Sequence, residues 1–397
     1  MSMNRLRLAV LVALTSVAAL GISILRAQDD GVALQAKIEG SQPGGSGELA
    51  ALSLTDAMKQ VGVPGVSIAV IRDSAVHWAK GYGVADVETR RPVSVDTLFQ
   101  AASISKPITA LAAMRLVQEG RLALDEDINK ILTSWKVPAA AGWRVPVTPR
   151  AVMSHTSGSD DGFGFPGYDP GTPRPTLVQI LNGEAPSNVG KVLFARPPFQ
   201  AYKYSGGAVT LMQLALGDLT HQPFAAFMRA SILAPLAMND STFEQPIPEP
   251  MASRTARAHD RQGLAGPVKW RVYPEQAAAG LWTTPTDLAK AAIEVQTALR
   301  GPKGGVLTQA SAREMTTPVG VGPFAIGFMI EKRGEGWYFS HGGSNWGFQC
   351  RLLAHVRKGY GVAVMTNADS GSRLLDEVVA RVAAAYKWDA LDKPLPR

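Results

Sequence analysis

Strand-forming patterns lie at both ends of this 397-residue chain, and a long stretch between them lacks such patterns. Residues 66–71 and 76–83 read as two short strands around an Arg-Asp-Ser turn, which predicts a hairpin. Four more β-rich segments follow from about residue 323, whereas 121–275 consists of short helices and loops rich in Pro and Gly. We therefore predict an α/β (α+β) fold with one antiparallel sheet built from both ends, flanked by helices, and a mainly helical region inserted between them.

Helical patterns occupy several segments between and beside the strands. These segments are 48–60, 103–119, 207–219, 285–299 and 374–386. Gly120 stands where the second of these helices should stop, because glycine readily takes the left-handed conformation of a helix end. We divide the chain into a linker at 28–47, a sheet region at 48–102 and 290–397, and a mainly helical region at 103–289, which together form one domain.

The first 27 residues are typical of a secretory signal peptide. Arg5 and Arg7 precede an apolar run over residues 8–25, and Ala27 precedes an acidic stretch. We therefore expect a periplasmic or secreted protein. Because the run is long for a signal, an uncleaved membrane anchor is the alternative, and only then would the membrane be a partner.

Composition excludes several classes of function. With Cys350 as its one cysteine, the chain cannot form an intramolecular disulfide. The formal net charge falls from +7 to +4 without the three arginines of the first 27 residues, and no basic cluster suggests nucleic acid. None of the six histidines shows the HxxxH spacing of a metal site, so we expect neither metal nor other cofactor.

A serine and a lysine stand three residues apart at the start of an apolar helix. Pro107 is tolerated only in a first helical turn, so this helix should begin within a residue or two of Ser103. Lys106 is one turn on, and burial disfavours its charged form, so its amine could take the proton of the Ser103 hydroxyl. Taken alone, the pattern equally fits a helix cap at Ser103 and a surface lysine.

Two further motifs follow in chain order. Tyr204 precedes a helix, and His341, Gly342 and Gly343 lie on or beside a predicted strand. With S-x-x-K, the sequence here resembles the serine β-lactamase and penicillin-recognising family, in particular its class C and D-peptidase-like branch. "MSHTSG" (153–158) and "AAAGLWTTPTDLAK" (277–290) extend the resemblance. Alone, the tyrosine also fits a core aromatic and the histidine a structural role.

The resemblance implies roles for the motif residues. Ser103 would be the acylated nucleophile, with Lys106 and the Tyr204 phenol as the base system. His341 takes the position of the cationic residue of the third motif, where it would orient the tyrosine and a substrate carboxylate.

The glycines of the third motif and the serine after them would form the substrate edge. Gly342 and Gly343 would let a substrate backbone lie close to this strand. The backbone N–H groups of Ser344 and Ser103 would form the oxyanion hole.

One position departs from the family. Gly206 stands where the tyrosine motif of this family usually has an asparagine that binds the acylamide of the substrate, so we do not expect efficient β-lactam hydrolysis. Tyr202, Trp346 and Phe348 either form an apolar pocket or are core aromatics. Asp160 and Asp161 should be solvated loop residues.

The prediction is a β-lactamase-related serine hydrolase that acts on a small ester, amide or peptide through an acyl-enzyme on Ser103, as a carboxylesterase or D-amino-acid peptidase does. A true class C-type β-lactamase and a non-catalytic cell-wall-binding protein on the same fold are the alternatives. The sequence leaves the oligomeric state open.

Overall fold

The computed structural model describes residues 30–388 apart from 46, 139–141, 143–144, 162–163, 302–304 and 334–335. The predicted signal at 1–27 lies outside the described residues. Within them, no helix is both long enough and apolar enough to cross a membrane.

Among the described residues, six strands form the main sheet, and two short strands pair separately. In chain order the strands are β1 (Gly65–Arg72), β2 (Ala75–Gly83), β3 (Phe99–Gln100), β4 (Trp282–Thr283), β5 (Met329–Arg333), β6 (Gly336–Asn345), β7 (Phe348–His355) and β8 (Gly361–Thr366). The main sheet has the order β2-β1-β8-β7-β6-β5, and every neighbouring pair is antiparallel. Because β1 pairs with β8, the two ends of the chain share one sheet, and the predicted fold class is confirmed.

The α-helices of the described chain agree with the predicted segments to within a few residues, except near the N-terminus. They are residues 30–39 (α1), α2 (Leu54–Val61), α3 (Ser105–Gln118), α4 (Pro149–Met153), α5 (Leu177–Asn182), α6 (Gly206–Thr220), α7 (Phe224–Met228), α8 (Gln276–Ala279), α9 (Pro285–Arg300), α10 (Gln309–Glu314) and α11 (Ser372–Ala385). The helix expected at 48–60 begins only at Leu54, because the Ser53 hydroxyl caps it by accepting from the Asp56 N–H at 3.1 Å.

Helices cover both faces of the sheet. Along β1, Ala69 and Ile71 point into the core shared with α3, α6 and α9, whereas Ile68 and Val70 point into the core shared with α2 and α11. A strand buried on both faces has apolar residues at successive positions, which is why β1 is an almost continuous apolar run. The predicted division after residue 289 falls inside α9, which packs on β1 and β8 and therefore belongs with the sheet.

The stretch 28–47, predicted to be a linker, instead contains α1 and packs on the sheet. Lys80 of β2 donates to Glu39 at 2.6 Å. The fully buried Arg381 of α11 donates to Glu377 at 2.7 Å and to four backbone carbonyls of this stretch and of the residues just after it. These carbonyls belong to Ile38, Gly40, Leu49 and Leu52, at 2.8–3.1 Å. One buried guanidinium therefore fixes this segment, a contact that local sequence patterns do not reveal.

We expect Arg381→Met to lower the free energy of unfolding by about 3–5 kcal/mol, because it leaves a carboxylate and several carbonyls without their buried partner. Urea unfolding monitored by circular dichroism measures this loss. Arg373→Met is the matched control, since Arg373 lies on the same helix with 60% of its side chain exposed and pairs with an exposed Glu48. Its cost should be about 1 kcal/mol or less. Equal losses in both variants would contradict the role of Arg381.

Candidate active site

Ser103 lies in a single 3₁₀ turn, Ala102–Ile104, between β3 and α3. The α-helix begins at Ser105, as Pro107 predicted, and Gly120 takes the left-handed conformation after its end. Ala102 has a φ of 49°, a left-handed conformation that is costly for a residue with a β-carbon. The chain therefore holds the serine on a strained backbone, which packing around the turn must maintain.

Lys106 is enclosed beside this serine. Only 4% of the residue is exposed, and its Nζ donates to Ser103 Oγ at 3.0 Å and to the Ala278 carbonyl of α8 at 2.8 Å. Burial lowers the pKa of Lys106 to about 7, although the negative charge of Asp161 acts in the opposite direction. At neutral pH a substantial fraction of this amine is therefore unprotonated and able to accept the serine proton.

Tyr204 reaches the same two side chains from the loop before α6. Its phenol interacts with the Ser103 hydroxyl, and its ring centroid lies 5.0 Å from Lys106 Nζ. Although 38% of the residue is exposed, desolvation of the phenol raises the pKa of Tyr204 above its usual value, with the Ser103 interaction partly opposing it. The structure thus brings Ser103, Lys106 and Tyr204 together across about a hundred residues of sequence.

Two residues without a predicted role support the tyrosine. His155 is buried, and its ring centroid lies 4.2 Å from that of Tyr204. Its Nδ1 accepts from the Ser205 N–H at 3.2 Å, and burial holds the pKa of this histidine well below its usual value. Phe324 packs edge-on against His155 at 4.7 Å. The motif "MSHTSG" was the only sequence signal for His155, and its spacing alone gave no role.

Asp161 is buried, so the prediction that it is a solvated loop residue is wrong. Only 2% of it is exposed, and its carboxylate accepts from the Gly207 N–H at 2.7 Å. The hydroxyls of Ser159 and Ser205 also donate to it. The carboxylate thus occupies the N-terminal end of α6, where the helix dipole stabilises an anion.

The neighbouring Asp160 does behave as predicted and lies at the surface. It forms ion pairs with Lys203 and Arg196. Of the two adjacent carboxylates, only Asp161 faces inward, and its charge favours the protonated form of Lys106.

His341 lies beside Tyr204 on β6, with 6.1 Å between the ring centroids. Its Nδ1 lies 2.6 Å from the Gly342 carbonyl, which assigns the ring proton to Nδ1. Burial lowers the pKa of His341 to about 3. Desolvation therefore favours the neutral imidazole at this position. The role of His341 in orienting the tyrosine and a substrate carboxylate stays a prediction. Its buried Nε2 is an acceptor without a partner among the described residues.

The three residues after His341 alternate between the two sides of β6. A β-carbon on Gly343 would lie 2.3 Å from the Ala101 carbonyl oxygen, so the lack of a side chain at this position lets the serine turn pack on the strand. The place of Gly343 at the substrate edge stays a prediction. The sulfhydryl of the free, buried Cys350 donates to the same oxygen at 2.9 Å. Gly342 and Ser344 are exposed and remain available to a substrate. The oxyanion hole of Ser103 and Ser344 stays a prediction.

The three aromatic residues of the predicted pocket lie in different environments. Phe348 is fully buried against Trp282 and belongs to the core. Tyr202 is partly exposed and stacks on Phe324. Trp346 is also partly exposed and lies under the Arg271 guanidinium. Within the part of the chain that the structure describes, no group of three or more His, Cys, Asp or Glu residues is arranged to hold a metal ion.

The fold and the site agree with comparisons to known proteins. A model of the family "Beta-lactamase" matches residues 53–386, so the chain belongs to this family.

Several known proteins are similar to this chain over most of its length. Protein flp of Staphylococcus aureus (strain MRSA252) is 27% identical over 326 residues, covering 78% of this chain and 60% of that protein. The chain thus spans about 60% of the length of that relative. Esterase EstB of Burkholderia gladioli is 28% identical over 317 residues, covering 72% of this chain and 76% of the esterase. Among solved structures, the octameric penicillin-binding protein homologue from Pyrococcus abyssi aligns with this chain at a TM-score of 0.70 and 25% sequence identity. The alignment covers 86% of this chain and 78% of that chain.

Proposed function

We propose that the protein is a serine hydrolase that cleaves small carboxylic esters through an acyl-enzyme on Ser103. The observation that carries this proposal is the 3.0 Å contact between Ser103 Oγ and Lys106 Nζ, in which the amine has a pKa of about 7. A serine hydroxyl is a weak nucleophile unless an adjacent base accepts its proton, and this lysine is such a base.

In the acylation step, neutral Lys106 accepts the Ser103 proton while Oγ forms a bond to the ester carbonyl carbon. The tetrahedral intermediate collapses when the C–O bond to the alcohol breaks and a proton returns to the leaving oxygen. Because its pKa is raised, the phenol of Tyr204 stays protonated at neutral pH and can donate this proton, which Lys106 then replaces.

In the deacylation step, water takes the place of the alcohol. Lys106 and Tyr204 remove a proton from this water as its oxygen bonds to the acyl carbon. The Ser103 oxygen leaves with the returned proton, so the step releases a carboxylic acid and restores the enzyme.

Esters are favoured over β-lactams and over charged peptides. Gly206 offers no side-chain amide for the acylamide of a β-lactam, and a neutral His341 offers no cation for a substrate carboxylate. The similarity to Esterase EstB supports the same choice. A non-catalytic protein on this fold would not need a lysine amine 3.0 Å from a serine hydroxyl, nor a lysine whose pKa is lowered by burial.

A fluorophosphonate should add its mass to Ser103 of the purified protein, as peptide mass spectrometry would show. Ser103→Ala should remain unlabelled and should lose at least about a thousandfold in hydrolysis of p-nitrophenyl esters. Heat-denatured wild type is the control, because labelling requires the folded site. Folded wild type that neither reacts nor hydrolyses esters would rule out the catalytic proposal in favour of a binding protein.

The pH dependence reports on Lys106, because only the neutral amine accepts a proton. We expect kcat/KM to rise as pH increases to about 7, the pKa of Lys106, and then to level off. Asp161→Asn should move this rise to lower pH, since it removes the negative charge that favours the ammonium form. The amide retains an oxygen for the Gly207 N–H.

Asp160→Asn is the matched control for Asp161→Asn. It removes an adjacent surface carboxylate already paired with Lys203 and Arg196, so the pH profile should stay in place. A rise that moves equally in both variants, or to higher pH in Asp161→Asn, would contradict the assignment of Lys106 as the base.

We also propose that the protein acts in the periplasm or outside the cell. The basic start, apolar run and Ala27 of the first 27 residues support this location. Mass spectrometry of the N-terminus after expression in a bacterial host should find cleavage near Ala27 in the exported fraction. Full-length protein confined to the cytosolic fraction would contradict the proposal.

A further inference from the structure

A phenylalanine ring lies against the glycine that replaces the family asparagine. A β-carbon built on Gly206 would lie 2.5 Å from Cε2 and 3.1 Å from Cζ of Phe165. Real β-carbons do not approach other atoms so closely, so a side chain at 206 requires the Phe165 ring to move from this position. Phe165 is partly buried and packs against the larger core, which limits how far the ring can withdraw.

Gly206 begins α6 and is two residues beyond Tyr204, so the Phe165 ring lies against the segment that carries the proposed catalytic tyrosine. We infer that Phe165 is the specificity-determining residue of the site: its ring fills the space in which an asparagine side chain at 206 would lie. This inference rests on the proposed esterase function and refines its substrate class. The acyl group selected is neutral and apolar and lacks an amide next to the ester.

The charged side chains around the site are paired within the protein, which favours a substrate with a neutral acyl group. Lys106 and Asp161 are both enclosed and hydrogen-bonded within the protein. At the rim, Asp160 is already paired with Lys203. His341 is neutral, so it does not attract a carboxylate. The aromatic rings of Tyr202, Tyr204 and Phe324, in contrast, offer apolar contact.

The glycine and the phenylalanine act as a pair, so a single change cannot convert the site. An asparagine at 206 would meet the Phe165 ring, and alanine at 165 would open space without providing an amide. Only the double variant Phe165→Ala/Gly206→Asn supplies both the room and the hydrogen-bonding group. A hydrogen bond to a substrate amide changes discrimination by about tenfold or more.

Two esters of equal chain length test the pair, namely the p-nitrophenyl esters of pentanoic acid and of N-acetylglycine. The measured quantity is the ratio of kcat/KM for acetylglycinate to that for pentanoate. We expect the double variant to raise this ratio by about tenfold or more over wild type. Phe165→Ala alone should leave the ratio within about threefold, and Gly206→Asn alone should lower kcat/KM for both esters. A ratio that rises as much in Gly206→Asn alone would overturn the inference.

A second measurement tests the contact without catalysis. Gly206→Ala should lower the melting temperature when Phe165 is present and raise it in the Phe165→Ala background, because alanine otherwise favours a helix over glycine. Equal shifts in both backgrounds would show that the ring does not fill this space. If the wild type hydrolyses neither ester and takes up no fluorophosphonate, the proposed function fails, whereas the melting temperatures still decide whether Phe165 and Gly206 exclude each other.

Discussion

The site depends on one buried amine. Lys106 lies on the first turn of α3 and faces α8, where the Ala278 carbonyl and the Ser103 hydroxyl accept its hydrogen bonds. An ammonium ion in such a place is costly, and the protein accommodates this cost by lowering the affinity of the amine for its proton. In the proposed mechanism, the same burial that stabilises the fold around α3 therefore produces the base that activates Ser103.

The position of the serine depends on contacts between regions that are distant in sequence. The turn that bears Ser103 packs on β6 because Gly343 has no side chain, and its Ala101 carbonyl also accepts from Cys350 on β7. On the other side, the Ser105 hydroxyl accepts from the Leu281 N–H at 3.0 Å. A strained backbone at Ala102 persists only where its surroundings fix it so closely. The central sheet therefore supports the turn that holds Ser103, the proposed nucleophile.

Local patterns predicted the parts of this arrangement that depend on neighbouring residues. Pro107 located the start of α3, and alternating apolar residues located the strands of both chain ends. Sequence could not distinguish Asp160 from Asp161, since two adjacent carboxylates look alike until α6 is placed beside one of them. The contact of Phe165 with Gly206 could not be predicted from the sequence either. The two residues are about forty positions apart, and neither belongs to a repeating pattern that would indicate the contact.

Charge balance explains why the buried groups of the site work together. Lys106, His155 and His341 share one desolvated region, and the positive charge of the lysine further lowers the pKa of each histidine. The site therefore holds at most one cation near neutral pH, and the carboxylate of Asp161 favours placing it on Lys106. Two neutral imidazoles then remain as rigid supports beside Tyr204. In the proposed mechanism Lys106 therefore accepts the Ser103 proton, because desolvation disfavours a positive charge on either histidine.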